Sequence, residues 1–318
     1  LRCCAALRRA NFDGSIALVG EEPHRPYDRP PLSKQVLAGD WDLERVELAP
    51  GADWDELKLD FHPSVTAVEL AASTRTVSFH DGSSMSAGTV VIATGARPRT
   101  LPGVDLQGVH VLRTKDEARD LQKELAGGAK RVVVIGAGFI GAEVAATSLG
   151  LGHDVTLIEA GEVPMERGLG PVIGAICGDL HSDEGVKLLL ATGVTSILGD
   201  RAVTGVELSD GRHLDADIVV VGIGVVPNTE WLRDSTLTID DGVVTDAYCQ
   251  AADGIYAIGD VARFPNQAFG GELMRIEHWE NASEQGGFVG RRIAGVQDGP
   301  FAPIPWFWSD QYSHKIQL

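Results

Sequence analysis

An α/β fold of two doubly wound sheets, one nested inside the other along the chain, is what the sequence predicts, on three observations. Residues 131–143 (RVVVIGAGFIGAE) read as a buried strand, a glycine turn and the first turn of a helix, with an acidic residue, Glu159, about 20 residues further on at the end of a second strand. Two other apolar strands run into glycine, 91–95 (VIATG) and 255–260 (IYAIGD), one on each side of that central unit. A length of 318 residues suits about two domains, each large enough to bury its own core.

Taken in order, residues 1–11 read as the end of a helix and 15–19 as a short buried strand. Residues 23–31 form a proline-rich loop, and 32–37 allow one or two helical turns. Residues 59–93 alternate strands with turns such as Asp81-Gly82. Residues 97–103 read as a crossover linker, 116–125 as a helix, and then come the central strand 132–135, helix 139–151 and strand 154–158. A helix over 171–184 has proline near its start, where the missing N–H costs nothing. Strands return over 194–221, a second linker follows at 225–228, and a helix over 281–293 precedes the aromatic segment 305–309 (PWFWS). This order places an outer domain at 1–112 and 241–300, an inner domain at 113–240, and only the start of a C-terminal α+β domain at 301–318. Both large domains are Rossmann-like, binding ligands at the carboxyl ends of their strands.

Composition narrows the function. A net charge of −18 argues against a general role on nucleic acid or anionic membrane, which need a basic surface. The apolar stretch 218–227 is too short to span a bilayer and contains two glycines. The amino-terminal residues lack a signal peptide's apolar core and cleavage site. The four cysteines (Cys3, Cys4, Cys177 and Cys249) show neither a disulfide framework nor zinc spacing, so a reducing cytoplasm is expected. The nine histidines form no ligand pair, and no metal is assigned.

The glycines of the central turn each answer a physical need. One allows the tight turn, one lets the backbone approach a pyrophosphate, and one lets the helix pack on its strand. The helix N-terminus then offers free N–H groups and partial positive charge to phosphate. Glu159 can accept bonds from both ribose hydroxyls and would repel a 2′-phosphate; with Arg167 the first arginine after it, NADH is favoured over NADPH. Other residues carry two readings on spacing alone. Asp260 can bind a sugar alcohol or cap a helix. Lys34, after the proline loop (RPPLSK, 29–34), can be functional or a solvated surface lysine. Glu143 can be functional or an exposed helix glutamate. Tryptophans in 277–280 (EHWE) and 306–308 (WFW) can be core or cofactor platforms. Cys3-Cys4 reads as burial on a helix face, and there is no CxxxxC dithiol.

Together, 26–34 (PYDRPPLSK), 93–95 (ATG), the fingerprint 136–143, 257–260 (AIGD), 277–279 (EHW) and 305–311 (PWFWSDQ) resemble the FAD-dependent ferredoxin (redoxin) reductases of the pyridine nucleotide-disulfide oxidoreductase superfamily. These serve bacterial cytochromes P450 and aromatic-ring dioxygenases. The resemblance runs over nearly the whole chain and implies FAD and NADH as cofactors. For FAD it implies Glu21 at the adenosine ribose, Val65 at the adenine through its backbone, Arg29, Thr94, Gly95 and Arg113 along the cofactor, Asp260 at its ribityl and phosphate portion, and Trp279 beside the flavin ring. Trp308 flanks that ring where nicotinamide stacks, and Lys34 lies near flavin N5 and pairs with Glu143, these two being the expected catalytic residues. For NAD it implies Gly136, Gly138, Ile140, Gly141, Glu143, Glu159 and Gly222. The family begins with a strand and glycine turn of its own for FAD and carries a C-terminal domain; this sequence starts after the first and stops just inside the second, so truncation at both ends is expected, with a central strand of the outer sheet missing.

The implied activity is hydride transfer from NADH to FAD, then single electrons to a ferredoxin or rubredoxin-type carrier of an oxygenase system. Acidic ferredoxins would meet a chain of like charge, and Arg25, Arg29, Arg97, Arg99, Arg291 and Arg292 are candidates for a local basic patch. The competing reading is a non-catalytic or regulatory NADH-binding flavoprotein fragment, since apoptosis-inducing flavoproteins share much of this motif set. An NADH oxidase or peroxidase needs a redox cysteine near Lys34, and the sequence has none there.

Overall fold

The computed structural model describes residues 1–297 and 299–318 and divides into two compact units. The central unit comprises Asp28–Val46, Pro98–Val225 and Trp308–Leu318; the flanking unit comprises Leu1–Tyr27, Glu47–Arg97 and Val226–Phe307. Each is an α/β unit.

The central unit is built on a five-stranded parallel sheet in the order Lys187–Leu189, Asp154–Ile158, Arg131–Ile135, Ile218–Val221 and Val109–His110. The runs VVVI and IVVV are unbroken because both faces of a parallel sheet are covered, and all eight of their side chains are buried. One cover is the antiparallel sheet Val194–Gly199, Val203–Leu208 and His213–Asp215, whose Ile197, Val206 and Leu208 join Val133, Ile135 and Val219 in one core. Helix Lys115–Leu125 opens with a capping box: the Thr114 hydroxyl accepts from the Glu117 N–H at 3.2 Å, and the Glu117 carboxylate accepts from the Thr114 N–H at 2.8 Å. Helix Phe139–Gly150 is buried on nearly every side, which explains its small residues (Gly141, Ala142, Ala145, Ala146) and absence of a polar face. The helix expected over 171–184 extends back to Glu166, with a left-handed break at Gly170 (φ 72) just before Pro171, which cannot continue a helix from its N-terminal side without loss of a backbone bond.

The flanking unit pairs Val90–Ile92 with Ile255–Ala257 in parallel, and Gln250–Ala252 joins antiparallel. Helix Arg2–Arg9 lies against helix Trp279–Ile293 at close range. A Cβ on Gly290 would come 2.5 Å from the Cys3 carbonyl oxygen, so glycine permits the approach. Cys3, Leu7, Phe264, Phe288 and Val289 fill the core beneath. The strand expected over 15–19 is shorter, Ala17–Val19, and only partly covered; it pairs in parallel with Asp60–His62. The linkers expected at 97–103 and 225–228 carry the short strands Ala96–Pro98 and Val225–Pro227. Among the described residues no helix is long and apolar enough to cross a membrane.

The carboxyl-terminal hairpin, Trp308–Gln311 with His314–Gln317, belongs to the central unit. It meets helix Glu166–Glu184 where the Tyr312 hydroxyl and His181 Nδ1 share a hydrogen bond of 2.7 Å. His181 is 0% exposed, and burial pushes its imidazole from the ordinary 6.5 down to about 4. Between those values the unfolded chain binds a proton that the folded chain refuses. The stability from this group is therefore complete above pH 6.5 and declines as pH falls toward 4, by about 3 kcal/mol. Denaturant titrations over that range should show a shallower loss for His181→Asn by about this amount; identical pH dependence in the two proteins would remove His181 from the acid response.

Candidate functional site

In the central unit the turn after strand Arg131–Ile135 is held by contacts that only glycine allows. Gly136 has φ +96, and a Cβ there would lie 2.4 Å from the Gly222 carbonyl oxygen. A Cβ on Gly141 would lie 1.9 Å from the Gly136 carbonyl oxygen, so helix Phe139–Gly150 sits directly on the turn. Around Gly138 nothing lies within 4 Å of the position a Cβ would take. The turn is thus tight at its first and third glycines and open at its second, facing the start of the helix, which fits a pyrophosphate approaching the backbone. Ile140, in that first helical turn, is 45% exposed, and Gly222 leaves the end of strand Ile218–Val221 with its N–H donating to the Ile135 carbonyl at 2.8 Å.

Glu159 closes the neighbouring strand. Its carboxylate accepts from the Ala137 N–H and the Gly161 N–H, both at 2.8 Å. The acid therefore ties the glycine turn to the loop after the second strand, and each oxygen keeps a second lone pair for a sugar hydroxyl.

Glu143, two residues past Gly141 on the same helix, is 3% exposed. Its Oε2 accepts from Lys34 Nζ at 2.9 Å and from the Ser33 hydroxyl at 2.5 Å; its Oε1 accepts from the Ser309 hydroxyl at 2.8 Å. A carboxylate buried this deeply needs a counter-charge and filled lone pairs, and three donors from two segments supply them. The exposed-glutamate and solvated-lysine readings are corrected: helix Phe139–Gly150 lies inside the unit, and the Lys34 side chain is 10% exposed. The proline loop presents both Ser33 and Lys34, through the 3₁₀ turn Pro30–Ser33, and the Thr147 hydroxyl holds the Ser33 carbonyl at 2.8 Å. Arg29, at the start of the loop, donates to the Arg113 carbonyl. Trp308 is half-buried beside Ser309 at the start of the hairpin.

In the flanking unit, Thr94-Gly95 and Gly259-Asp260 follow two adjacent parallel strands, so the topology brings them to one edge. Asn228 staples the first pair: its Nδ2 donates to the Thr94 carbonyl at 2.9 Å, and its N–H to the Gly95 carbonyl at 3.0 Å. Gln285, 0% exposed, accepts from the Gly259 N–H at 2.8 Å and fixes the left-handed turn (φ 71) from which half-buried Asp260 projects. Glu21 lies exposed past strand Ala17–Val19, and the Val65 N–H donates to the Gly20 carbonyl at 2.9 Å, so Glu21 and Val65 adjoin. Trp279 begins helix Trp279–Ile293 with the Arg2 guanidinium 5.6 Å from its ring centre. His278 is pushed below the usual imidazole range by burial, with Asp260 and Glu277 pulling the other way.

Sequence reasoning missed Ser33, Ser309, Asn228 and Gln285. Ser33 and Ser309 stood inside motifs already singled out, but a serine signals nothing until its partner is known. Gln285 and Asn228 act through long-range bonds that have no local pattern. Among the described residues no group of three or more His, Cys, Asp or Glu side chains is arranged to hold a metal ion.

A family model described as pyridine nucleotide-disulphide oxidoreductase matches residues 2–286. The chain belongs to this family. Within it, the chain's relatives include ferredoxin reductases. It is 40% identical to rhodocoxin reductase of Rhodococcus erythropolis over 98% of this chain and 74% of that protein. It is 39% identical to the ferredoxin reductase component of a chlorobenzene dioxygenase from a Cupriavidus species, over 98% of this chain and 76% of that protein. The crystal structure of the ferredoxin reductase for the CYP199A2 system of Rhodopseudomonas palustris superposes with a TM-score of 0.94 at 38% identity, covering 99% of this chain and 78% of that one. The reductase in a covalent putidaredoxin reductase–putidaredoxin complex gives 0.93 at 34% identity, over 99% and 77%. This oxidoreductase family accounts for the two-unit α/β architecture.

The turn geometry separates two alanine substitutions. Gly138→Ala has room for its methyl group and should change folding stability by no more than about 0.5 kcal/mol while weakening NADH binding about 10-fold or more. Gly141→Ala places a methyl against backbone and should cost at least about 3 kcal/mol in denaturant titration. Fluorescence titration of the Gly138→Ala protein with NADH checks the first; unaltered affinity would mean that no pyrophosphate approaches this turn.

Proposed function

We propose that the chain is an NADH-dependent flavoprotein reductase that carries hydride from NADH to FAD and then single electrons to a ferredoxin- or rubredoxin-type carrier of an oxygenase system. The observation that carries this reading is the buried Lys34–Glu143 pair, 2.9 Å apart, on the same helix whose first turn forms the open glycine turn. One helix thereby offers an anion site at its N-terminus and, one turn later, a fixed ammonium–carboxylate pair. Relatives named as ferredoxin reductases of a chlorobenzene dioxygenase and of the CYP199A2 system support the reading.

In this reading 113–240 is the NAD-binding domain, 1–112 with 241–300 the FAD-binding domain, and 301–318 the start of a C-terminal domain. Glu21, Val65, Arg29, Thr94, Gly95, Arg113, Asp260, Trp279 and Trp308 hold FAD; Gly136, Gly138, Ile140, Gly141, Glu159 and Gly222 hold NADH. When bound, the flavin supplies the redox chemistry, accepting hydride as a pair and releasing electrons singly. The chain's residues supply position and charge. Lys34 presents a fixed positive charge to the negative charge that builds up on reduction, and Glu143 orients Lys34 and helps place the nicotinamide. Asp260, on the turn fixed by Gln285, accepts from sugar hydroxyls.

The carrier's docking site draws on the arginines outside these pockets. Arg97 spends part of its charge on Glu230, and Arg292 stacks 4.1 Å from the Tyr248 ring centre, so steering by them is weaker than a count of arginines suggests. A cytoplasmic location belongs to the same proposal and is supported by four free, buried cysteines.

Loaded with FAD, the purified chain should show a flavin band that NADH bleaches. In stopped flow, Lys34→Ala should slow that bleaching by roughly 100-fold, with Glu143→Gln as a shape-preserving companion. A rate equal to that of the parent in both variants would remove the pair from the mechanism.

A further inference from the structure

The hairpin that brings Ser309 to Glu143 is a weak element by itself. It consists of four residue pairs, from Trp308↔Gln317 to Gln311↔His314, and a two-stranded ribbon of this size is marginal without docking. Its alternation places Ser309 and Gln311, both 0% exposed, on the inner face, with Trp308 and Asp310 only partly covered. Besides the Ser309–Glu143 bond, two weak contacts hold that face: Ile316 packs against the cluster of Ala142, Met165 and Cys177, and Gln311 Nε2 reaches Met165 Sδ at 3.5 Å.

The turn is strained. Tyr312 occupies the first central position of a two-residue hairpin loop with φ 54, a conformation for which glycine or asparagine is preferred. What holds a tyrosine there is His181: the hydroxyl and Nδ1 lie 2.7 Å apart, and the rings meet edge-on with centres 5.5 Å apart. His181 is wholly buried in helix Glu166–Glu184. A slip of one residue in the ribbon would turn Ser309 outward and strip Glu143 Oε1 of its donor.

We propose that the His181–Tyr312 pair is a positioning latch that keeps Ser309 on Glu143, so that a turn and a helix outside the glycine turn set how the Lys34–Glu143 pair is held. Its consequence for rate rests on the reductase reading above; the latch itself does not. Ser309, Tyr312 and His181 act through Glu143 and are positioning residues.

Three variants test it: Ser309→Ala, Tyr312→Phe, and the two combined, with His181→Asn as a second way to open the latch. The carboxylate stretch of Glu143, assigned by difference infrared spectroscopy against Glu143→Gln, reports the bond, and hydrogen exchange over 308–317 reports the hairpin. Tyr312→Phe should raise exchange about 10-fold, the worth of one hydrogen bond, and shift the Glu143 band in the same direction as Ser309→Ala does, and adding Tyr312→Phe to Ser309→Ala should shift it no further than Ser309→Ala alone. A Glu143 band that stays at the parent position in Tyr312→Phe and His181→Asn overturns the latch, whatever the hairpin does. In FAD-loaded protein, Ser309→Ala should slow NADH bleaching by several-fold and Tyr312→Phe should slow it too; a moved band with an unchanged rate overturns the role in the reaction. A parent chain that binds FAD yet is not bleached by NADH overturns the reductase reading instead, and the infrared result still decides the latch.

Discussion

A carboxylate removed from water dictates the local architecture. Glu143 sits at 3% exposure, where an ionised group survives only if its lone pairs are filled and its charge is met. The donors come from both sides of it in sequence, Ser33 and Lys34 far upstream and Ser309 far downstream. The proline loop has to arrive in one conformation, and two prolines in the turn Pro30–Ser33 restrict it before any contact forms. Thr147, four residues after Glu143 and so on the same helix face, grips the Ser33 carbonyl and fixes the loop at a second point. Loop and hairpin are each weakly determined alone; the buried charge ties their positions to the helix.

The glycine turn imposes a second constraint, of space and not of charge. Gly136 and Gly141 are glycines because backbone presses on them from the neighbouring strand end and from the turn itself. Gly138 meets no such pressure, so a structural account alone leaves it unexplained and a ligand account explains it. The same helix carries both constraints, since its start is fixed by the turn and its one carboxylate, Glu143, is buried against Lys34.

This division shows what was legible in the sequence. The central strand, turn, helix and second strand were readable because each has a local signal: a continuous apolar run, glycines at fixed offsets, an acid at the right distance. Lys34 and Glu143 were readable as a pair only through resemblance, since 109 positions separate them and neither periodicity nor spacing joins them. Burial of Glu143 contradicts the ordinary expectation for a helix glutamate because the helix has no solvent face, a fact of tertiary packing. Gln285 and Asn228 were illegible for the same reason: each satisfies one or two backbone groups across the fold, and nothing near them in sequence announces it. The break at Gly170 was half legible, since Pro171 signalled a helix start but could not show that another turn precedes it.

The cysteines bear on where electrons leave. A dithiol that relays them must form a thiolate, which needs exposure and a positive neighbour. Here all four cysteines are free and buried, and burial pushes the thiols of Cys3 and Cys249 up to about 12, far from any useful ionisation at neutral pH. Cys249 is further tied by Gln285 Nε2 at 3.3 Å, and so serves the turn that presents Asp260. In this member of a family named for pyridine nucleotides and disulphides, all four thiols lie in the core. Electrons entering from a nicotinamide thus have no thiol relay among these four residues, and the external one-electron carrier in the proposed function is the outlet that the side chains favour.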